Sequence, residues 1–221
     1  MASLSDGVLE HAAGRPDAIA VRGPDSVYTY GQLKDGILAY AGMLRERGIE
    51  RGDRVLFICP SVPEFAVAYL GVNAVGAIAL PANPLCTETE LGYYIEDGGC
   101  RMVIAWDGIS QAGRAAAAAA GIDFVALTTG ANVSEGTPLE SPVDLDRDDV
   151  ACLLYTSGTT GRPKGAELTV NNLNEAARIS NQLGDESPED RAGTSLPLFH
   201  VLARPRCCSR VCEIGRASCR E

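Results

Sequence analysis

At 221 residues with 46% apolar side chains, the chain is long enough to bury a substantial core, as one large domain or two small ones. Its formal charge of −10 argues against duplex nucleic acid as a partner, because that requires a clustered basic surface. A nucleotide ligand is not excluded, since one local loop with a metal ion can hold phosphates.

The segment from Met1 to His11 carries acids and lacks the basic start and apolar run of a secretory signal. The expected compartment is therefore the cytoplasm. Leu33, Ile37, Ala41 and Leu44 recur at helical spacing, and Gly48 stands where such a helix stops. Arg54 to Cys59 reads as a buried strand, and Pro63 opens a second helix through Ala74. Ala77 to Leu80 reads as the next strand. The stretch from Phe65 to Leu80 is too short for a membrane span and contains Asn73 and Gly76, so it predicts a buried helix turning into a buried strand. Thr89 to Asp97 predicts a short helix ended by Gly98 and Gly99, with a strand over Met102 to Ala105. The alanine run from Ala115 to Ala120 predicts a surface helix. Asp123 to Leu127 continues the alternation, Gly130 to Asp149 reads as a polar loop or linker, and Val150 to Tyr155 as another buried strand. Strands alternating with helices in this way predict an α/β fold of mostly parallel sheets with covered faces.

Cys59, Cys86, Cys100 and Cys152 are scattered singly and read as reduced, small, buried side chains. The other four cysteines, Cys207, Cys208, Cys212 and Cys219, cluster at the C-terminus.

The segment with most chemical content directly follows the strand ending at Tyr155. Ser157, Gly158, Thr159, Thr160, Gly161 and Lys164 place three hydroxyls, two glycines and a lysine within eight residues. Glycine lets backbone N–H groups turn toward an anion, hydroxyls add donors, and the lysine adds a point charge. Pro163 stiffens the exit. The spacing is not that of the common G-x-x-x-x-G-K-[ST] phosphate loop. On composition alone the same residues read equally as a polar surface turn. The next helix is expected from Val170, capped by Asn171 or Asn172.

The full string YTSGTTGRPKGAELT, Tyr155 to Thr169, resembles the signature loop of the adenylate-forming superfamily of acyl-CoA synthetases, adenylation domains and luciferases. Three further segments agree in order. Tyr28 to Leu33 (YTYGQL) resembles an early Tyr-x-x-Leu motif, Leu70 to Pro84 (LGVNAVGAIALPANP) a Gly-Ala strand motif, and Leu196 to Val201 (LPLFHV) the motif that follows the loop in acyl- and aryl-CoA ligases. One departure is Val170, where the family often has histidine.

The resemblance implies ATP-dependent activation of a carboxylic acid to an acyl-adenylate and then to acyl-CoA, with ATP, Mg²⁺ and coenzyme A as partners and no nucleic acid. It implies that Ser157, Gly158, Thr159, Thr160, Gly161 and Lys164 hold the β- and γ-phosphates, with Thr156 beside them. His200, which alone reads as a satisfied core histidine, would line the acyl pocket near the reacting carboxylate. Phe199-His200, in place of the Phe-Asp usual in peptide-synthetase adenylation domains, favours a stand-alone acyl-CoA ligase, with a fatty acid as the expected substrate.

The resemblance covers residues 1–203, expected to be an incomplete N-terminal AMP-binding domain, because family members are more than twice this long. Beyond Ala203, residues 204–221 hold five arginines, two acids and half the cysteines, with no apolar period. Glu213 to Glu221 reads as the conceptual translation of a short-read sequencing adapter, since GAG ATC GGA AGA GCG TCG TGT AGG GAA encodes those nine residues. The tail is thus expected to be frame-shifted and adapter-derived. Its cysteines fit no standard zinc spacing. The implied consequences are an inactive fragment and a tendency to aggregate through unpaired strand edges.

Overall fold

A computed structural model describes residues 3–130, 136–156, 162–183, 191–194, 197–199 and 211–214. Their order is α1 (Asp6–Gly14), β1 (Ile19–Arg22), β2 (Val27–Thr29), α2 (Tyr30–Glu46), β3 (Arg54–Ile58), α3 (Pro63–Ala74) and β4 (Ile78–Ala82). There follow α4 (Glu88–Gly98), β5 (Cys100–Trp106), a short 3-10 turn, α5 (Gln111–Ala120), β6 (Asp123–Leu127), β7 (Val150–Thr156), β8 (Lys164–Thr169), α6 (Val170–Leu183), β9 (Arg191–Thr194) and β10 (Val211–Ile214).

The larger sheet runs β6-β5-β3-β4-β7-β8. Its first five strands are mutually parallel, and β8 closes one edge antiparallel to β7. Both faces are covered, which explains the unbroken apolar runs in β3, β4 and β5. Alternate side chains of each strand point to opposite faces and so divide between two cores. Val55, Phe57, Met102 and Ile104 join the core under α2 and α3, whereas Leu56, Ile58, Val103 and Ala105 join the one under α4 and α5. Full burial of a side chain such as Phe57 or Ile58 contributes about 1.5–3 kcal/mol.

Helix α3 is buried at eleven of its twelve positions, as a helix apolar all round must be. Helix α2 lies against it closely enough that a β-carbon on Gly71 would stand 2.9 Å from the Tyr40 β-carbon. Asn73, inside this apolar helix, donates from its side chain to the Tyr69 carbonyl at 3.0 Å.

Several expectations need correction. Helix α5 is not purely a surface helix: Ala116 and Ala117 are buried on its sheet-facing side, because a methyl group fits where a larger side chain would not. The described part of the linker, 136–149, packs across α2 and α3, burying Leu139 and Leu145 and bonding Leu139 N–H to the Leu38 carbonyl at 3.0 Å. Helix α6 is capped by Thr169, not by either asparagine. The Thr169 hydroxyl accepts from Asn172 N–H at 3.2 Å while Asn172 Oδ1 accepts from Thr169 N–H at 3.1 Å.

The smaller sheet runs β2-β1-β10-β9, with β10 parallel to both neighbours. Val211–Ile214 thus forms a strand inside the stretch where no apolar period is legible. Four residues suffice for a strand and are too few for a period to emerge.

Candidate functional site

The predicted phosphate segment links β7 to β8 at the carboxyl edge of the parallel strands, where open α/β sheets bind their ligands. Ser157, Gly158, Thr159, Thr160 and Gly161 lie outside the described residues, as does His200. The stems on either side are described. Strand β7 is buried over Ala151 to Leu153, half-buried at Leu154 and Tyr155, and exposed at Thr156. Apolar burial therefore ends where the hydroxyl-rich segment begins.

Thr156 and Lys164 face each other as the last pair of the β7–β8 ladder. The Thr156 hydroxyl points to the Lys164 carbonyl at 3.5 Å, and both side chains are exposed. Among the described residues, neither Lys164 nor the exposed Arg162 has a carboxylate within ion-pair distance. Two cations without a described counter-charge at the mouth of a hairpin suit an anionic ligand. Gly165 stands opposite Tyr155, and a β-carbon there would lie 2.9 Å from Leu153 Cδ1 and 3.4 Å from Tyr155 Cζ.

Helix α4 packs under these stems. The Tyr155 ring stacks on Tyr94 at 4.5 Å and meets Tyr93 edge-on at 6.0 Å, and its hydroxyl donates to Asp97. Burial, then the neighbouring Asp97 carboxylate, raises the Tyr155 hydroxyl well above the usual phenol range, so it stays a proton donor at neutral pH. The Tyr93 hydroxyl donates to the Pro163 carbonyl at 2.9 Å. Sequence reading assigned no role to Tyr93, Asp97 or the Tyr155 ring. Their only signal was aromatic clustering in YYI, which equally suits an ordinary core helix.

The LPLFHV segment reaches the same sheet edge. Leu198 is buried, Phe199 is half-buried against the α2–α3 core, and Leu198 N–H donates to the Ser61 hydroxyl just beyond β3. Only β4 stands between β3 and β7. At the usual strand spacing, the ends of β3 and β7 therefore lie about 10 Å apart across the sheet.

The other two motifs build scaffold. Thr29 caps α2 reciprocally with Gln32, at 2.9 and 3.3 Å. Leu70 to Pro84 carries the chain from α3 into β4 through Gly76 at φ 86°, a left-handed turn that favours glycine. Val170, standing where the family often has histidine, is fully buried and donates its N–H to the Asp149 carbonyl at 2.9 Å.

Cys59, Cys100 and Cys152 are buried, and Cys86 is half-buried. Among the described residues no group of three or more His, Cys, Asp or Glu side chains could hold a metal ion, and no helix is long and apolar enough to cross a membrane.

Comparison with known proteins agrees with this geometry. A profile of the family described as AMP-binding enzyme matches residues 8–214. The chain is 34% identical over 205 residues to a feruloyl-CoA synthase from Amycolatopsis sp, covering 93% of this chain and 41% of that protein. It is 32% identical over 181 residues to the long-chain-fatty-acid–CoA ligase FadD13 of Mycobacterium tuberculosis, covering 79% of this chain and 36% of that one. The chain thus spans about two-fifths of the length of these relatives. Among solved structures, the inhibitor-bound N-terminal domain of FACL13 from Mycobacterium tuberculosis superposes with a TM-score of 0.87 at 26% identity, over 97% of this chain and 57% of that one. The chain belongs to the AMP-binding enzyme family, and its α/β architecture is that of the N-terminal domain of adenylate-forming enzymes.

Proposed function

We propose that this chain supplies the phosphate-gripping part of an ATP-dependent acid–thiol ligase. In the first step a carboxylate oxygen attacks the α-phosphorus of ATP, the bond to the bridging oxygen breaks, and pyrophosphate leaves with that electron pair. In the second, the thiolate of coenzyme A attacks the acyl carbon, and AMP departs. Mg²⁺ bound to the phosphate oxygens would neutralise charge on the triphosphate.

The observation that carries this reading is Lys164: an exposed cation with no described ion-pair partner, facing Thr156 at the carboxyl edge of a parallel sheet. Its role is to stabilise charge on the departing pyrophosphate, with Thr156, Ser157, Gly158, Thr159, Thr160 and Gly161 as donors around it. Phosphoryl chemistry is mostly positioning and charge stabilisation, so a loop of donors with one lysine suffices for this half of the site. His200 is proposed to line the acyl pocket close to the reacting carboxylate. The names of the two relatives span an aryl acid and a long-chain fatty acid, and apolar Leu198 and Phe199 near the end of β3 suit either. A fatty acid is our first candidate, with the cytoplasm as compartment.

Pyrophosphate exchange with a panel of fatty and aryl acids, run on an intact ligase carrying this segment and on the 221-residue chain, tests the proposal. In the intact ligase, Lys164→Ala is expected to slow exchange by about 10- to 10³-fold, the range for loss of one charge-stabilising donor. An unchanged rate would refute the assigned role. The chain spans about two-fifths of these relatives' length, so the activity proposed is that of a whole ligase. A boundary at Ala203, with a non-native tail beyond it, belongs to the same proposal. Resequencing the locus tests it, and an intact frame encoding residues 204–221 would overturn it.

A further inference from the structure

We propose that Tyr93 and Asp97, one turn apart on α4, are positioning residues that set the two stems of the phosphate segment. Their role rests on the phosphate reading above. Positions four apart share a helix face, so the two side chains project together. Each grips a different stem. Asp97 accepts from the hydroxyl of Tyr155, the residue before Thr156, and Tyr93 donates to the carbonyl of Pro163, the residue before Lys164. Both tethers therefore act one residue away from a side chain proposed to meet phosphate.

The coupling is mechanical. The Pro163–Lys164 peptide is planar, so holding its carbonyl oxygen fixes the direction in which Lys164 N and Cα leave it. On the other stem, Tyr155 cannot swing, because its ring is stacked on Tyr94 and edged by Tyr93 while its hydroxyl is held by Asp97.

The clamp itself is anchored. Helix α4 starts at a reciprocal cap between Thr87 and Glu90 and ends at Gly99 in a left-handed turn. Its last residue, Gly98, packs so tightly on β4 that a β-carbon would stand 2.7 Å from Leu80 Cδ1. Strand β4 lies between β3 and β7, so α4 refers both stems to the centre of the sheet.

The test uses tryptic scission at Lys164–Gly165 in an intact ligase carrying this segment, followed by mass spectrometry with and without MgATP. The preceding basic residue, Arg162, is followed by proline, which resists trypsin, so the cut after Lys164 reports this stem alone. MgATP is expected to protect the wild-type bond. Tyr93→Phe, which deletes one hydrogen bond, and Asp97→Asn, which weakens one by replacing its charged acceptor with a neutral amide oxygen, are each expected to raise the half-protecting MgATP concentration about 2- to 10-fold. Thr29→Ala, which weakens the cap of α2 and touches neither stem, should lower the melting temperature but shift that concentration less than twofold.

Protection of wild type with unchanged half-protecting concentrations in Tyr93→Phe and Asp97→Asn would overturn the inference and leave the phosphate reading standing. An equal shift in Thr29→Ala would also overturn it, because overall stability and not stem placement would then be responsible. Absence of protection in wild type would overturn the phosphate reading, and the positioning role with it.

Discussion

The backbone amide of Leu198 donates to the Ser61 hydroxyl at 3.0 Å, joining two segments 137 positions apart in sequence. One segment is the turn after β3. The other is the Leu196 to Val201 motif, of which 197–199 are described. Neither residue type announces the contact, yet it is what brings the later motif to the sheet edge that carries the phosphate segment.

Ser61→Ala removes this acceptor from the partly buried Leu198 amide. The expected cost is about 0.5–1.5 kcal/mol, read as a lower urea midpoint at unchanged slope. In an intact ligase the same change should raise KM for the acid more than KM for ATP, because Ser61 holds the segment proposed to line the acyl pocket. An unaltered midpoint would show that the bond adds nothing to stability.

Gly42 lies under the crossing of the 136–149 loop. A β-carbon there would overlap the Thr137 carbonyl oxygen, which sits directly on the helix backbone. Gly42→Ala is therefore expected to lift the loop, break the Leu139–Leu38 bond and destabilise the chain by about 1–3 kcal/mol, the range for an overpacked site. Gly14→Ala, whose methyl group meets nothing within 4 Å, is the comparison and should be nearly neutral. Equal urea midpoints for the two variants would contradict the steric account.

Burial pushes the Cys100 thiol up to about 12, with Arg54 pulling it back in part. The unfolded thiol ionises near its ordinary value of about 8.5. Because the folded value is the higher one, the contribution of Cys100 to stability is complete below about pH 8.5 and is lost as pH rises toward the folded value. Urea midpoints measured from pH 7 to pH 10 should fall more steeply for wild type than for Cys100→Ala. Parallel declines would remove Cys100 as a cause.

Much of the sheet could be read directly from the chain. The boundaries of α3 agree with the expected Pro63-to-Ala74 helix, because proline at a helix start and a glycine turn after its end are local signals. Strand β3 declares itself as a continuous apolar run because both sheet faces are covered. By contrast, β8 went unrecognised. Its residues Lys164 to Glu167 are exposed and carry no apolar alternation, so only pairing with β7 makes them a strand.

The same division runs through the site. By itself the sequence determined that a hydroxyl- and glycine-rich segment with a lysine follows a buried strand, since adjacency along the chain is all that such a motif requires. The tertiary structure alone decided that Thr156 and Lys164 stand opposite each other, that Tyr93 and Asp97 hold the stems, and that Ser61 receives Leu198. Those contacts join residues far apart in the chain. Their partners are chosen by strand order and helix packing, and a side chain's type and neighbours in sequence carry no record of which distant group it will meet.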